Sequence, residues 1–192
     1  IEDIKADFSK DFSAKRMIVG DGGSGKTIVI LASALMMLPE RSILMAPTTI
    51  LANQLYEEAK KFLPMIKIAL VTNRTKAIDL DEYDFIVGTH ALLYRELPSA
   101  SLVMVDEQHR FGTAQRNLLE KLVSSGERKP HFLQFSATPI PRTQAMIETA
   151  HIDVSLITPT PFVKDITSRV INKRDFKELL EHIKREIDKG NQ

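Results

Sequence analysis

Cysteine is absent from the sequence. That removes a disulfide framework and a thiolate metal site, and it fits a reducing compartment. A long apolar run is also missing. The longest, Ile28 to Leu38, is broken by Ser33, follows a glycine-rich loop and stops at Pro39. A membrane span needs about 20 mostly apolar residues. There is no signal-peptide pattern, internal repeat or low-complexity tract. Charge of one sign is lacking too, since 26 Lys and Arg stand against 25 Asp and Glu, a net charge of +1. No overall basic field points to a polyanionic partner, although a local strip on a near-neutral domain is compatible with one. The five histidines show no paired spacing for zinc. The acidic cluster Asp79, Asp81, Glu82 and Asp84 reads as a solvated loop. A calcium loop needs Gly at its sixth position and Glu at its twelfth, where Asp84 and His90 stand.

What remains is an ordinary globular composition, 43% hydrophobic and 27% charged over 192 residues. That length suits one domain, or one domain and a fragment of another, with a self-sufficient core. The first residue is Ile1 rather than Met, so a preceding segment is expected. Strand and helix signals alternate. Apolar runs at Met17–Val19, Ser42–Ala46, Ile66–Val71, Phe85–Gly88, Leu102–Val105 and His131–Phe135 read as strands, with Asp153–Ile157 as one more. Residues 26–37 read as a helix buried on most sides. Leu51, Leu55, Ala59 and Phe62 mark a second helix, with Thr49 as its cap and Pro64 at its end. Ala114, Leu118, Leu119 and Leu122 put an apolar stripe on a third. This order predicts an α/β fold, a mainly parallel sheet with helices on both faces.

Beyond Ala150 the texture changes. Thr158-Pro159-Thr160-Pro161 reads as a stiff linker, and Phe176, Leu179, Leu180, Ile183 and Ile187 line one face of a terminal helix. The expected organisation is a first domain at 1–157, and a linker with the start of a second domain at 158–192.

Two segments carry chemistry. Gly20-Asp21-Gly22-Gly23-Ser24-Gly25-Lys26-Thr27 fits the phosphate-loop pattern G-x-x-x-x-G-K-[ST], and it lies between a strand and a helix, the context the motif requires. Gly20, Gly22, Gly23, Ser24 and Gly25 would turn successive N–H groups into one anion-binding concavity. Lys26 would reach the β- and γ-phosphates, and the Thr27 hydroxyl would bind Mg²⁺. Downstream, the apolar run Leu102–Val105 ends in Asp106 and Glu107. One carboxylate there can hold Mg²⁺ and the other can orient or deprotonate an attacking water. The residues so far indicate a P-loop ATPase. A P-loop kinase or GTPase remains a reading, and Asn172-Lys173-Arg174-Asp175 matches a guanine-reading motif by letters, though it lies beyond the linker.

Asp106-Glu107-Gln108-His109 resembles the DExH box of superfamily 2 helicases. The longer string through Arg110-Phe111-Gly112 to Gln115-Arg116 is similar to that of the RecG family of branched-DNA helicases, and transcription-repair coupling factors carry a close variant. Ala46-Pro47-Thr48 with Ile50-Leu51-Ala52 resembles motif Ia, Gly88-Thr89-His90-Ala91-Leu92 motif Ib, and Ser136-Ala137-Thr138-Pro139-Ile140-Pro141-Arg142-Thr143 motif III. The matches keep the family's order from residue 18 to about 143.

The resemblance implies a RecA-like P-loop NTPase domain, the first motor domain of a bacterial, cytoplasmic, ATP-dependent DNA helicase or translocase. It would act on forks and junctions in recombination and repair. Catalysis would fall to Lys26, Asp106 and Glu107, with Thr27 and Asp106 on the metal. Gln108, His109, Ser136 and Thr138 would couple nucleotide state to DNA, and Pro47, Thr48, Thr89 and His90 would hold DNA phosphates without reading sequence. A second motor domain with its arginine fingers, and an N-terminal wedge, are expected outside this sequence. The isolated chain is then expected to hydrolyse ATP very slowly, or to act as a nucleotide-dependent DNA clamp without unwinding. The chain departs from the family in three places: Gly22 replaces a usual Val, Thr72–Tyr83 is short and lacks a Thr-Gly-Ser element, and Thr158–Phe162 lacks the usual Gly-Arg.

Overall fold

A computed structural model describes residues 1–107, 110–124, 129–137, 152–157, 172 and 176–189. The chain divides into two compact units, Ile1–Thr160 and Pro161–Gln192.

The first unit is built on seven strands: β1 (Lys15–Val19), β2 (Ser42–Met45), β3 (Ile68–Val71), β4 (Phe85–Gly88), β5 (Leu102–Val105), β6 (His131–Ser136) and β7 (Asp153–Leu156). They form one sheet in the order β3-β4-β2-β5-β6-β1-β7, and every pairing is parallel. Parallel strands need crossovers, and helices on those crossovers cover both faces. The inner strands are therefore covered twice over and are mostly apolar, whereas β7, at the edge, is largely exposed. All four residues of β2, β4 and β5 are buried.

Alternate residues feed two core layers. On one face α1 (Glu2–Phe8), α2 (Lys26–Met37) and α3 (Thr49–Phe62) bring Ile4, Ile30, Leu31, Ala34, Ala52, Leu55 and Ala59 against Ile18, Leu44, Val87, Met104 and Phe135. On the other, a 3₁₀ turn (His90–Tyr94) and α4 (Thr113–Val123) bring Ala91, Leu92, Leu119 and Val123 against Ile43, Met45, Ile86, Val103, Val105 and Phe132.

Several local expectations are corrected. The cap of α3 is Thr48, not Thr49: the Thr48 hydroxyl accepts the Leu51 N–H at 3.2 Å. The apolar rows of α4 divide, with Leu119 and Val123 buried and Leu118 and Leu122 exposed. On α2, Ile28 is 69% exposed, so this helix is less enclosed than its composition suggests. Phe62 is also exposed. The third strand starts at Ile68, because Ile66 still closes a turn onto the Leu63 carbonyl. Neither α1 nor the 3₁₀ turn is legible in the sequence pattern. The first, seven residues long, is held by tertiary contacts: Asp7, 1% exposed, accepts from Arg16 Nε of β1 at 2.5 Å.

In the second unit the described element is α5 (Phe176–Asp188). Its amphipathic pattern is as expected, with Phe176, Leu180, Ile183 and Ile187 exposed. The expected linker at 158–161 lies outside the described residues.

Candidate nucleotide site

The described motif residues gather at one end of the sheet, where the strands finish. β1 runs into the phosphate loop, and the loop runs into α2. Gly23 and Gly25 take φ of 81° and 90°, the left-handed region that other residues avoid. Gly25 is the N-cap of α2, so the unpaired N–H groups of the first helical turn face the loop, as an anion site requires. The Ser24 N–H donates to the Asp21 carbonyl at 3.0 Å and closes the turn. Lys26 folds back over it, with Nζ donating to the carbonyls of Gly20 at 2.6 Å and Asp21 at 3.0 Å. Gly22 is exposed, and a Cβ placed there would have nothing within 4 Å.

β6 lies between the strand of the loop and the strand of the acids. Ser136, the last residue of β6, is buried, is in register with Val19 and accepts the Gly20 N–H on its carbonyl at 3.1 Å. On the far side of β6, Val105 pairs with Gln134. Asp106 follows, its N–H still tied to the Met45 carbonyl at 3.0 Å. Its Oδ1 accepts the Glu107 N–H at 3.0 Å. Glu107 has φ of 50°, a left-handed conformation that costs a non-glycine residue about 1–3 kcal/mol and is found where the surrounding fold enforces it. The Arg110 N–H then donates to the Glu107 carbonyl at 2.9 Å. Gln108 and His109, like Thr138, lie outside the described residues.

The candidate DNA contacts sit at the same end, beyond β2 and β4. The Ala46 N–H donates to the Gly88 carbonyl at 2.8 Å, and the Thr89 N–H to the Val71 carbonyl at 3.0 Å, so both loops leave the sheet in fixed positions. Pro47 and Thr48 are half-buried and His90 is exposed. Thr89 is 2% exposed and its hydroxyl accepts the Ala91 N–H at 3.3 Å. Thr48 and Thr89 therefore both cap the helical turn that follows them, a role the motif resemblance did not suggest.

Hard-oxygen donors suited to Mg²⁺ are present in Thr27 and Asp106. Among the described residues no three His, Cys, Asp or Glu side chains converge on a metal site. A cavity of about 750 Å³ opens at the opposite end of the strands, lined by residues that include Lys10, Ser13, Glu40, Ser101, Lys129 and His131. Ligands of open parallel sheets bind at the carboxyl ends of the strands, so this cavity is not the nucleotide site.

A phosphate loop on β1 and an acidic pair closing β5, one strand apart in a parallel sheet, define a RecA-like P-loop NTPase core. The model of the DEAD/DEAH box helicase family matches residues 6–147, and the chain belongs to that family. It is 46% identical over 200 residues to the ATP-dependent DNA helicase RecG of Helicobacter pylori, covering 100% of this chain and 32% of that protein. It is 37% identical over 206 residues to RecG of Streptococcus pneumoniae, covering 100% of this chain and 30% of the relative. The chain thus spans about a third of the length of these relatives. Among solved structures it resembles RecG bound to a three-way DNA junction, with a TM-score of 0.75 and 25% identity over 98% of this chain and 27% of that one. The helicase domain of Pyrococcus furiosus Hef shares the fold, with a TM-score of 0.63 and 22% identity over 93% of this chain and 43% of that one.

Proposed function

We propose that this chain is the first motor domain of an ATP-driven DNA translocase that remodels branched DNA, forks and junctions. Residues 1–157 would form that domain, and 158–192 the linker and the start of a second one. The placement of Ser136 carries the reading: it joins the phosphate loop through Gly20 and ends the strand that lies beside the acids.

In this reading the N–H groups at the start of α2 and the Lys26 ammonium take the β- and γ-phosphates of ATP. Thr27 and Asp106 hold Mg²⁺, which when bound neutralises phosphate charge. Glu107 orients a water and accepts its proton as the oxygen bonds to the γ-phosphorus. The bond to the β–γ bridging oxygen breaks and ADP departs. Gln108, His109, Ser136 and Thr138 pass the nucleotide state on to the DNA side. Pro47, Thr48, Thr89 and His90 offer the strand backbone contacts that hold it without reading bases. For Thr89 the contact would come from the backbone, since its hydroxyl is buried and bonded. A second motor domain in cis closes on the nucleotide and supplies an arginine to the transition state, and an N-terminal wedge domain engages the branch point. The isolated chain then binds nucleotide weakly and turns it over at least about 10³-fold more slowly than the intact protein. The bacterial cytoplasm is the compartment that fits this reading, since the relatives compared are bacterial.

The test is ATPase activity of the intact protein with three-way junctions, linear duplex and single strands, beside Lys26→Ala and Glu107→Gln. Stimulation that is greatest with junctions, and abolished by both substitutions, is expected. Stimulation by no DNA, or a preference for GTP over ATP, would defeat the assignment.

A further inference from the structure

Gln115 and Arg116 stand just past the acidic box, and nothing in the proposed hydrolysis uses them. Gln115 fixes where α4 begins: its Oε1 accepts the N–H of the N-cap residue Gly112 at 3.1 Å. Arg116, one residue on, is half-buried. Its hydrogen bonds include Nη1 to Gln134 Oε1 at 3.2 Å and Nη2 to the Thr113 hydroxyl at 3.2 Å. Burial pushes its pKa down, as expected for a cation taken out of water.

Gln134 is an unusual occupant of its position. It lies inside the sheet on β6, is 5% exposed, and is in register with Met17 on one side and Val105 on the other. An apolar side chain there would extend the core with no polar group to satisfy. A buried amide needs a partner, and polar groups in a core often cost more stability than apolar ones of the same shape. Stability alone does not account for the pair, but position does. Arg116 belongs to the helix that follows Asp106 and Glu107. Gln134 belongs to the strand whose end, Ser136, holds the first residue of the phosphate loop. Gln134 also faces Val105, the residue before the acids.

We infer that Arg116 and Gln134 form a strut between α4 and β6, and that Arg116 is a positioning residue that keeps the acidic box in step with the phosphate loop. It rests on the translocase reading and adds a route within it. A shift at the box is carried by the start of α4 to β6, and by the Ser136 carbonyl to Gly20. In this role Arg116 acts through Gln134 rather than on nucleotide or DNA.

The experiment is DNA-stimulated ATP hydrolysis by the intact protein carrying Arg116→Met, Gln134→Met or both. Nucleotide affinity and thermal midpoint are measured on the same samples. Each single variant is expected to lower the DNA-stimulated kcat by about tenfold, in the range by which residues on a coupling route act. KM for ATP and nucleotide Kd should stay within about threefold. The double variant should lose no more than either single one, as two halves of one contact would. Arg116→Lys, which keeps the charge but not the planar fork, should recover only part of the rate. If Arg116→Met does not fold, Gln134→Met carries the test, because it removes the acceptor and leaves the guanidinium an exit toward solvent. Wild-type rates in both single variants, or losses that multiply in the double, would overturn the strut. So would a lowered midpoint with an unchanged kcat. An unmodified protein that no DNA stimulates would instead fail the translocase reading, and the strut's role with it.

Discussion

Gly20 donates its N–H to the Ser136 carbonyl at 3.1 Å, so the first residue of the phosphate loop is bonded to the last residue of β6. Ser24 and Ile157 leave Gly20 no room for a side chain. A Cβ on Gly20 would lie 2.5 Å from Ser24 Oγ, 3.2 Å from Ser24 Cβ and 3.1 Å from Ile157 Cβ. The hydroxyl can swing aside, but the two carbon contacts remain and the loop must move. Gly20→Ala is expected to cost about 1–3 kcal/mol and to weaken ATP binding by about tenfold, which corresponds to about 1.4 kcal/mol. Urea unfolding and nucleotide titration of one preparation check both numbers. Full affinity in the variant would mean that the loop adjusts without loss.

Two residues further on the sign reverses. Gly22 is not in the left-handed region, and a Cβ there meets nothing within 4 Å. Replacing a glycine whose conformation other residues can adopt stabilises a protein by about 0.4–1 kcal/mol, chiefly by restricting the unfolded chain. Gly22→Ala and Gly22→Val should therefore raise the unfolding midpoint with nucleotide affinity kept. A lower midpoint in both would refute the open geometry at this position.

Thr48 and Thr49 separate a cap from its neighbour. The Thr48 hydroxyl takes the Leu51 N–H, one of the donors that the first turn of α3 leaves unpaired. Thr49 is exposed at the helix's first position. Thr48→Ala should cost about 1 kcal/mol, and Thr49→Ala less than about 0.5 kcal/mol. Chemical denaturation distinguishes them, and equal losses would contradict the capping geometry.

Helix α4 shows where sequence patterning stops being informative. Leu118 with Leu122 and Leu119 with Val123 are adjacent apolar rows of one helix, and periodicity cannot choose between them. The choice is visible only in three dimensions, where Leu119 and Val123 pack in the core with Val103, Val105 and Phe132 and Arg116 reaches Gln134 on the same side. The central strands were legible for the opposite reason. Buried on both faces, they are built mainly of apolar residues, and their ends are marked by the glycine loop and the acids. The short α1 and the 3₁₀ turn were not legible, because one rests on an ion pair with the next strand and the other is too brief to show a period. Leu119→Ala is accordingly expected to cost about 2–5 kcal/mol, while Leu118→Ala stays below about 1 kcal/mol. Comparable losses at the two sites, measured by urea unfolding, would place the helix in a different rotation.

The N-terminal edge makes stability depend on pH through two groups with the same sign. Burial pushes the Asp7 carboxyl up, but hydrogen bonds from Arg16 and Lys10 outweigh it and hold the group below its usual range. A depressed carboxyl contributes stability that is present above its unfolded value, about 3.9, and that is lost as pH falls through the folded value. His131 is pushed down by burial, and its Nδ1 accepts the Ala14 N–H at 3.3 Å, which requires that nitrogen to be unprotonated. Its contribution is present above about 6.5 and is lost as pH falls through its own folded value. Stability should therefore decline on acidification in two steps, one beginning below about pH 6.5 and one below about pH 4. Removing Asp7 leaves the Arg16 guanidinium, 10% exposed, without its closest carboxylate. Leaving a buried charge uncompensated costs about 3–5 kcal/mol, and because Asp153 at 3.5 Å and Asp3 at 3.8 Å still face Arg16, the loss here is expected below that range. Asp7→Ala should show that loss at neutral pH, keep the upper step and lose most of the lower one. Urea midpoints measured from about pH 8 to pH 3 test this. A variant that falls as steeply as the unmodified protein below about pH 4 would show that other carboxylates govern its acid unfolding.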